Sequence, residues 1–353
     1  MFSFEFCMPL KQKILNPIIV IFLILLFSST SAQEYKKIKA QKGDGIYSLL
    51  KRNGLNSTEY FEQFIELNKT KLGKENVLIV GKNYRLPIKA KKDTVIQNSV
   101  PIKAISPEKI VYEIFGNKYK EVDIKSKELS QAVFYLMSGH GGPDPGAIGS
   151  LNGHLLCEDE YAYDVTLRLA RNLMECGATV YMIIRDLNDG IRDDQFLKPD
   201  RDEVCFPTRP IPLSQLARLR QGTEAVNKLY RENKGKFQRQ VAIHVDSRSK
   251  KENIDVFFYH DKRSDAGKKL ANTLMKTFEE KYAKHQPTRG YNGSVSERNL
   301  YVIKNSFPPS VFIELGNINH TRDQQRFINS DNRQAVSNWL RDGLIEDYKK
   351  SIK

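Results

Sequence analysis

Three polar residues close apolar runs beyond residue 130 of this 353-residue chain. His140 follows Ala132–Ser138 (AVFYLMS) and Gly139, His244 follows Val241-Ala242-Ile243, and Glu314 ends Val311-Phe312-Ile313. Such runs read as buried strands, and in open α/β sheets sites assemble at the carboxyl ends of strands. Two histidines and carboxylates meeting at one edge match a catalytic zinc centre, where three protein ligands leave the fourth position to water. The third ligand is then a carboxylate, and the candidates cluster in Glu158-Asp159-Glu160. A lone buried histidine is more often a satisfied core residue than a ligand. A pair at equivalent strand ends, one of them set among glycines, reverses that preference.

Helical phase separates the three acids. Tyr161, Val165, Leu169 and Leu173 stand 3, 7, 11 and 15 positions beyond Glu158, the stripe of a helix facing a sheet. Glu158 therefore points inward from the first turn, while Glu160 lies roughly 200° around the axis from it. The bland alternative for Glu158 is a negative charge favourable to the helix dipole. The elements that carry these residues alternate. Helices are predicted over Tyr161–Met174, Leu213–Leu229, Ala266–Tyr282 and near Ala335–Tyr348. Further strands are predicted at Thr179–Ile184, Ile254–Tyr259 and Leu300–Ile303, beside Val241–Ile243 and Val311–Glu314. Residues 109–350 thus read as an α/β domain, a sheet of mostly parallel strands flanked by helices. The stretch 187–212, rich in acids and prolines, interrupts this order; loops of that length are uncommon and often functional.

These segments resemble a known family, the type 3 N-acetylmuramoyl-L-alanine amidases. Ser138-Gly139-His140-Gly141-Gly142-Pro143-Asp144-Pro145-Gly146-Ala147-Ile148-Gly149 is similar to its first zinc motif, and Glu158 with Tyr161, Tyr163, Val165 and Leu169 to its second-ligand helix. Ala242-Ile243-His244-Val245-Asp246-Ser247 looks like the third-ligand segment, and Phe312-Ile313-Glu314-Leu315-Gly316-Asn317 like the segment bearing the family's catalytic glutamate. The resemblance covers about residues 130–348. It implies zinc held by His140, Glu158 and His244, Glu314 as the group that moves protons, and cleavage of the amide between N-acetylmuramic acid and L-alanine in peptidoglycan. Arg185 falls where the family has an arginine and is the expected substrate contact. Asp246 stands in place of the usual asparagine, Asn317 in place of an apolar residue and His320 in place of asparagine. Relatives that need an activator insert a blocking helix ahead of the strand corresponding to Leu300–Ile303. Only Ala266–Tyr282 is predicted there, so unaided activity is expected.

The N-terminal third is organised differently. Lys11 and Lys13 precede the apolar run Ile18–Phe27 and the small residues Ser28-Ser29-Thr30-Ser31-Ala32, the order of a secretory signal peptide over residues 1–32. Ten apolar residues fall well short of the roughly 20 that span a bilayer, so no stable membrane insertion is expected after cleavage. Residues 35–88 follow a strand–helix–helix–strand order with Gly43-Asp44, Leu67-Asn68 and Val80-Gly81 to Leu86-Pro87 at its turns. They resemble a LysM domain, a family that binds glycans containing N-acetylglucosamine; Gly45 stands where that family usually has threonine, which weakens the helix cap. Residues 89–108, without periodicity, read as a linker.

The formal charge is +14. Removing residues 1–32 takes away two lysines and one glutamate and leaves +13. Such a surplus favours polyanionic partners. An export signal argues against nucleic acid, and anionic polymers of the periplasm or cell wall fit both facts. Once Cys7 leaves with the signal, Cys157, Cys176 and Cys205 remain, an odd number without paired spacing and so no disulfide framework or cysteine zinc site. Two further readings stand beside the zinc amidase: a glycan-binding protein of the same fold without activity, and a zinc peptidase acting on stem peptides.

Overall fold

The structure, a computed structural model, describes residues 35–55, 57–73, 76–87, 109–248 and 253–352. The expected signal peptide and the linker at 89–108 lie outside the described residues. No helix among them is long and apolar enough to cross a membrane.

The first unit is strand–helix–helix–strand, as expected. Strand β1 (Lys37–Lys39) pairs antiparallel with β2 (Asn83–Arg85), setting Ile38 opposite Tyr84. Helices α1 (Ile46–Arg52) and α2 (Ser57–Asn68) bring Leu49, Leu50 and Phe64 onto Tyr84, all fully buried. Gly45 precedes α1 with no side-chain cap; instead its own N–H donates to the Ser48 hydroxyl at 2.8 Å. A Cβ at residue 45 would lie 2.4 Å from Asp331 Oδ2, so glycine here serves a close approach to the second unit.

In that second unit, a β-hairpin of β3 (Lys109–Val111) and β4 (Glu121–Asp123) leads into the main sheet. Its strands are β5 (Ala132–Ser138), β8 (Thr179–Met182), β12 (Phe237–Asp246), β13 (Phe257–His260), β14 (Ser294–Glu297) and β15 (Ser310–Asn317), in the order β14-β13-β15-β12-β5-β8. All neighbours run parallel except β13 and β15. Alternation sorts the side chains, as the pleat requires. Phe134 and Leu136 of β5, with Val241, Ile243 and Val245 of β12, pack against α3 (Glu158–Glu175), α5 (Asp265–His285) and α8 (Ser330–Ser351). Tyr135, Met137, Ala242 and Phe312 face the other side, under α4 (Gln215–Glu232) and the short α6 (Tyr301–Asn305). His244 and Glu314 share the parity of Ala242 and Phe312 and so emerge on the α4 face.

Several expectations need correction. Leu300–Ile303 is not a strand: residues 301–305 are a helical turn burying Val302 and Ile303, and the sheet edge beside β13 is taken by β14. Four apolar residues fit a buried strand and a single helical turn equally well, so periodicity cannot separate them. Among the described residues no helix stands between α5 and β14. His260 is buried at the end of β13. The stretch after β8 is structured as well. Strands β9 (Ile184–Arg185), β10 (Val204–Cys205) and β11 (Arg209–Pro210) form a small antiparallel sheet, with a cis Phe206–Pro207 bond beyond β10. Between β5 and α3 lies a hairpin of β6 (Ile148–Leu151) and β7 (His154–Cys157), turned by Asn152-Gly153, both at positive φ. Asn-Gly is the residue pair such a turn demands.

Buried charge ties α3 to α8. Asp164 Oδ2 accepts from Arg168 Nε at 2.7 Å and Arg333 Nε at 2.5 Å, while its Oδ1 accepts from the Arg192 N–H. Arg333 is wholly buried and also donates to the carbonyls of Phe327, Arg192 and Asp194. Asp164→Ala leaves the Arg333 guanidinium without a carboxylate in the interior and Arg168 with Asp193 alone; the expected loss is about 3–5 kcal/mol, read as a lower urea midpoint at unchanged slope.

Cys157, Cys176 and Cys205 are free and buried. Burial, with the charges of Asp159 and Glu160 added, pushes the Cys157 thiol up to about 11.

Candidate active site

The first turn of α3 reaches across the sheet edge to the ends of β5 and β12. The β6–β7 hairpin runs directly into this helix, so Glu158 is its first residue. Glu158 Oε1 accepts from the Val245 N–H at 3.0 Å and lies 2.9 Å from His244 Nδ1. Its Oε2 accepts from the Ala147 N–H at 2.8 Å and lies 3.2 Å from His140 Nε2. Ligand atoms of His140, Glu158 and His244 fall within 4.8 Å of one another. The other acid of the pair turns away: Glu160 Oε2 accepts from Arg192 and Oε1 from the Asp200 N–H.

The backbone leaves no slack around this group. His140 itself sits at φ 63°, uncommon for a residue with a side chain and concentrated at functional sites. A Cβ at Gly139 would lie 2.2 Å from His244 Nδ1, and one at Gly146 would lie 2.6 Å from Glu158 Oε2 and 2.7 Å from the His140 ring. Phe312 stacks on His244 with centroids 4.0 Å apart.

Two imidazoles and a carboxylate within this span fit the donor set of zinc. Their titration is mutually coupled. Burial works against charge on His140, but the hydrogen bonds and charges of Glu158 and Asp144 outweigh it and carry the pKa to about 9. His244, more enclosed, is held below its ordinary value by burial. Burial also opposes charge on Glu158, yet hydrogen bonds to both histidines draw it far below the usual carboxylate range.

Glu314 stands directly opposite His244 in the parallel β12–β15 register. Both line a cavity of about 370 Å³ with His140, Glu158, Asp144 and Arg218. Burial, then the charges of Glu158 and Asp246, push Glu314 well above the ordinary carboxylate range, while Arg298 and Arg248 pull it down. Its Oε2 has no hydrogen-bond partner among the described residues.

Arg185 lies elsewhere. It ends β9, its Nη1 donates to the Pro207 carbonyl at 2.6 Å, and it is not among the residues lining this cavity. Two residues that reasoning from sequence gave no role do line it. Asp144 lies 3.0 Å from His140 Nδ1, the kind of outer partner that orients a ligating imidazole. Arg218, from the first turns of α4, bonds Asp144 in turn. The spacing of His140 and Asp144 was a usable signal; the distance in sequence from Asp144 to Arg218 carried none. A larger cleft, about 800 Å³, runs between Gly43–Tyr47 of the first unit and α5, α7 (Thr321–Ile328) and α8; among the described residues it contains no such ligand group.

Among known proteins, the germination-specific N-acetylmuramoyl-L-alanine amidase of Bacillus subtilis is 28% identical over 195 residues, covering 54% of this chain and 69% of that one. Among solved structures, the chain is similar to the CwlD amidase from Clostridioides difficile in complex with the GerS lipoprotein: 17% identity, 62% of this chain and 98% of that chain covered, TM-score 0.46. It is also similar to the catalytic domain of CwlV, the N-acetylmuramoyl-L-alanine amidase from Bacillus (Paenibacillus) polymyxa var. colistinus: 21% identity, 61% and 97% covered, TM-score 0.43. Residues 135–346, more than half of the sequence and the span that carries every strand-end residue described above, match the N-acetylmuramoyl-L-alanine amidase family, and the chain belongs to it.

Proposed function

We propose that the peptidoglycan amidase activity of this family runs here on zinc, held by His140, Glu158 and His244, with Glu314 as the proton-transfer group. The observation that carries the reading is the meeting of that ligand group with Glu314, its strand neighbour, in one cavity. Zinc, when bound, supplies Lewis acidity at the scissile carbonyl and brings the pKa of water toward neutrality. The residues do the rest. Asp144 fixes the His140 ring, and the Val245 and Ala147 amides fix the Glu158 carboxylate. Glu314 takes a proton as water adds to the lactyl carbonyl carbon. It gives that proton to the L-alanine nitrogen as the amide bond breaks, which is general acid–base catalysis. Arg185 is proposed to contact substrate on the β9 side. Mass analysis of digested cell wall tests the reading: free lactyl ends and peptides headed by L-alanine are expected. Chelation should stop their release, and added zinc should restore it. Cuts within stem peptides would point to a peptidase, and absence of cleavage to a binding protein.

We further propose that the chain is exported to the periplasm or cell wall and that residues 35–88 are a LysM-like unit gripping glycan while 109–350 cut. Among the described residues, the polar bridges between the units include an exposed one, Lys51 Nζ to Asp193 Oδ2 at 3.1 Å, and a half-buried one, Asn338 Nδ2 donating to Tyr47 Oη at 3.1 Å. Exposed pairs such as the first contribute little to stability. A chain starting at residue 109 is therefore expected to fold and to turn over soluble muropeptides at near the full-length rate. Its pull-down by insoluble wall should fall. Loss of turnover on the soluble substrate would end the proposed division of labour.

A further inference from the structure

A second carboxylate cluster lies beside the first turn of α3, made by the side chains that face away from the histidines. Asp159, Glu160 and Glu203 each place a carboxylate oxygen within 4.8 Å of the others, and Asp186, Asp200 and Glu203 form a second such group on the far side of Glu203. Asp159, Glu160 and Asp186 are only 2% exposed and Glu203 7%. Among the described residues these five acids make one ion pair, Arg192 to Glu160 at 2.8 Å, and Arg192 is shared with Asp189. Backbone amides supply further contacts: Glu160 N–H to Asp159 Oδ1, Asp200 N–H to Glu160 Oε1, Gly142 N–H to Glu203 Oε2, Asn188 and Asp189 N–H to Asp186 Oδ1, and Asp202 N–H to Asp200 Oδ1. Asp159 Oδ2 is buried and has no hydrogen-bond partner among the described residues. In a chain whose surplus is positive, five carboxyl groups gather here around a single arginine. A carboxylate oxygen enclosed without a partner is costly, and neighbouring carboxylates add repulsion.

We propose that Asp159, Glu160 and Glu203 bind one hard divalent cation of the calcium class, which clamps the segment 186–205 onto the start of α3. The chemistry of the donors sets the class. Oxygen-only carboxylate sites suit calcium or magnesium. Calcium tolerates irregular geometry, whereas magnesium demands a near-ideal octahedron and sheds its waters reluctantly. The ion would neutralise the bare Asp159 oxygen and leave Asp186 and Asp200 as a second layer across Glu203. Its position gives it a task. Asp159 adjoins Glu158, and Glu203 holds the Gly142 amide two residues beyond His140. Ile211, six residues beyond the segment 186–205, lies against Gly142 and lines the cavity. The cation thus secures the wall of the catalytic cavity without entering it.

The test uses full-length protein already loaded with one zinc, so that the histidine site is filled. Terbium, a luminescent substitute for calcium, should bind once and be sensitised by the neighbouring Tyr161 and Tyr163. Calcium should displace it. Calcium at a hundredfold excess over its Kd should raise the melting midpoint by about 5–10 °C. Glu203→Gln and Asp159→Asn should each lose the terbium signal and the calcium-dependent rise while still holding one zinc. Absence of binding by the unmodified protein up to about 10 mM calcium, above the range of weak extracellular modules, overturns the proposal. So does terbium binding that survives both substitutions, or stabilisation by added zinc and not by calcium.

Discussion

Glu158→Ala should come through purification with little zinc and no measurable amide hydrolysis, while Glu160→Ala keeps its zinc. The two carboxylates are two residues apart on one helix and both buried, so composition cannot separate them. Their partners do. Both oxygens of Glu158 lie between His140 and His244, and its removal leaves two imidazoles and no anion. Loss of an outer partner of a metal ligand typically costs 10–100-fold in affinity, so loss of a ligand should exceed that. Glu160 answers to Arg192 and the Asp200 amide. Its removal breaks a largely buried pair, at about 3–5 kcal/mol, and should lower the melting midpoint with one zinc still bound. Metal analysis and calorimetry of the two variants decide it. If Glu160→Ala loses zinc and Glu158→Ala retains it, the ligand assignment is wrong.

Glu314→Gln should fold, keep normal zinc and lose about 10²–10⁴-fold or more in turnover, the usual contribution of a general acid–base group. The amide retains the shape of the carboxylate but cannot shuttle a proton. Its place on β15 is fixed by the register with His244 and by the flanking Ile313 and Leu315, both buried, so the backbone has no reason to move. Substrate affinity should survive, putting the loss into kcat and leaving KM close to its original value. A variant that drops its zinc would make Glu314 a ligand; one near the wild-type rate would make it a bystander.

The strand ends and the inward phase of α3 were legible because an apolar run leads up to each strand end and an apolar stripe, Tyr161, Val165, Leu169 and Leu173, faces the sheet. What escaped was polar burial. Strand β12 runs ten residues, from Phe237 to Asp246, against the three apolar ones that stand out in the sequence. Gln238, Arg239 and Gln240 are buried in it because Tyr135, Asp347 and Ser310 supply partners from far along the chain. Local pattern records hydrophobicity, not the partner that makes a polar side chain acceptable inside. The same blindness hid the second carboxylate cluster: the acids of 186–203 look like a solvated loop until α3 is placed beneath them. The Asn152-Gly153 hairpin is a different case, since its turn signal was local and could have been read. The antiparallel pairing of β13 with β15 left no local mark at all.

The three enclosed thiols bear on how the molecule can be watched. A protonated, enclosed cysteine is inert to alkylating reagents until its surroundings open. The speed at which such a reagent consumes Cys157, the residue immediately before Glu158, therefore counts how often the base of that helix breathes, much as amide exchange reports opening elsewhere in a protein. Cys176 sits just past the far end of the same helix and gives an internal reference. One chain, without any introduced label, carries a clock at each end of the element on which its chemistry is mounted.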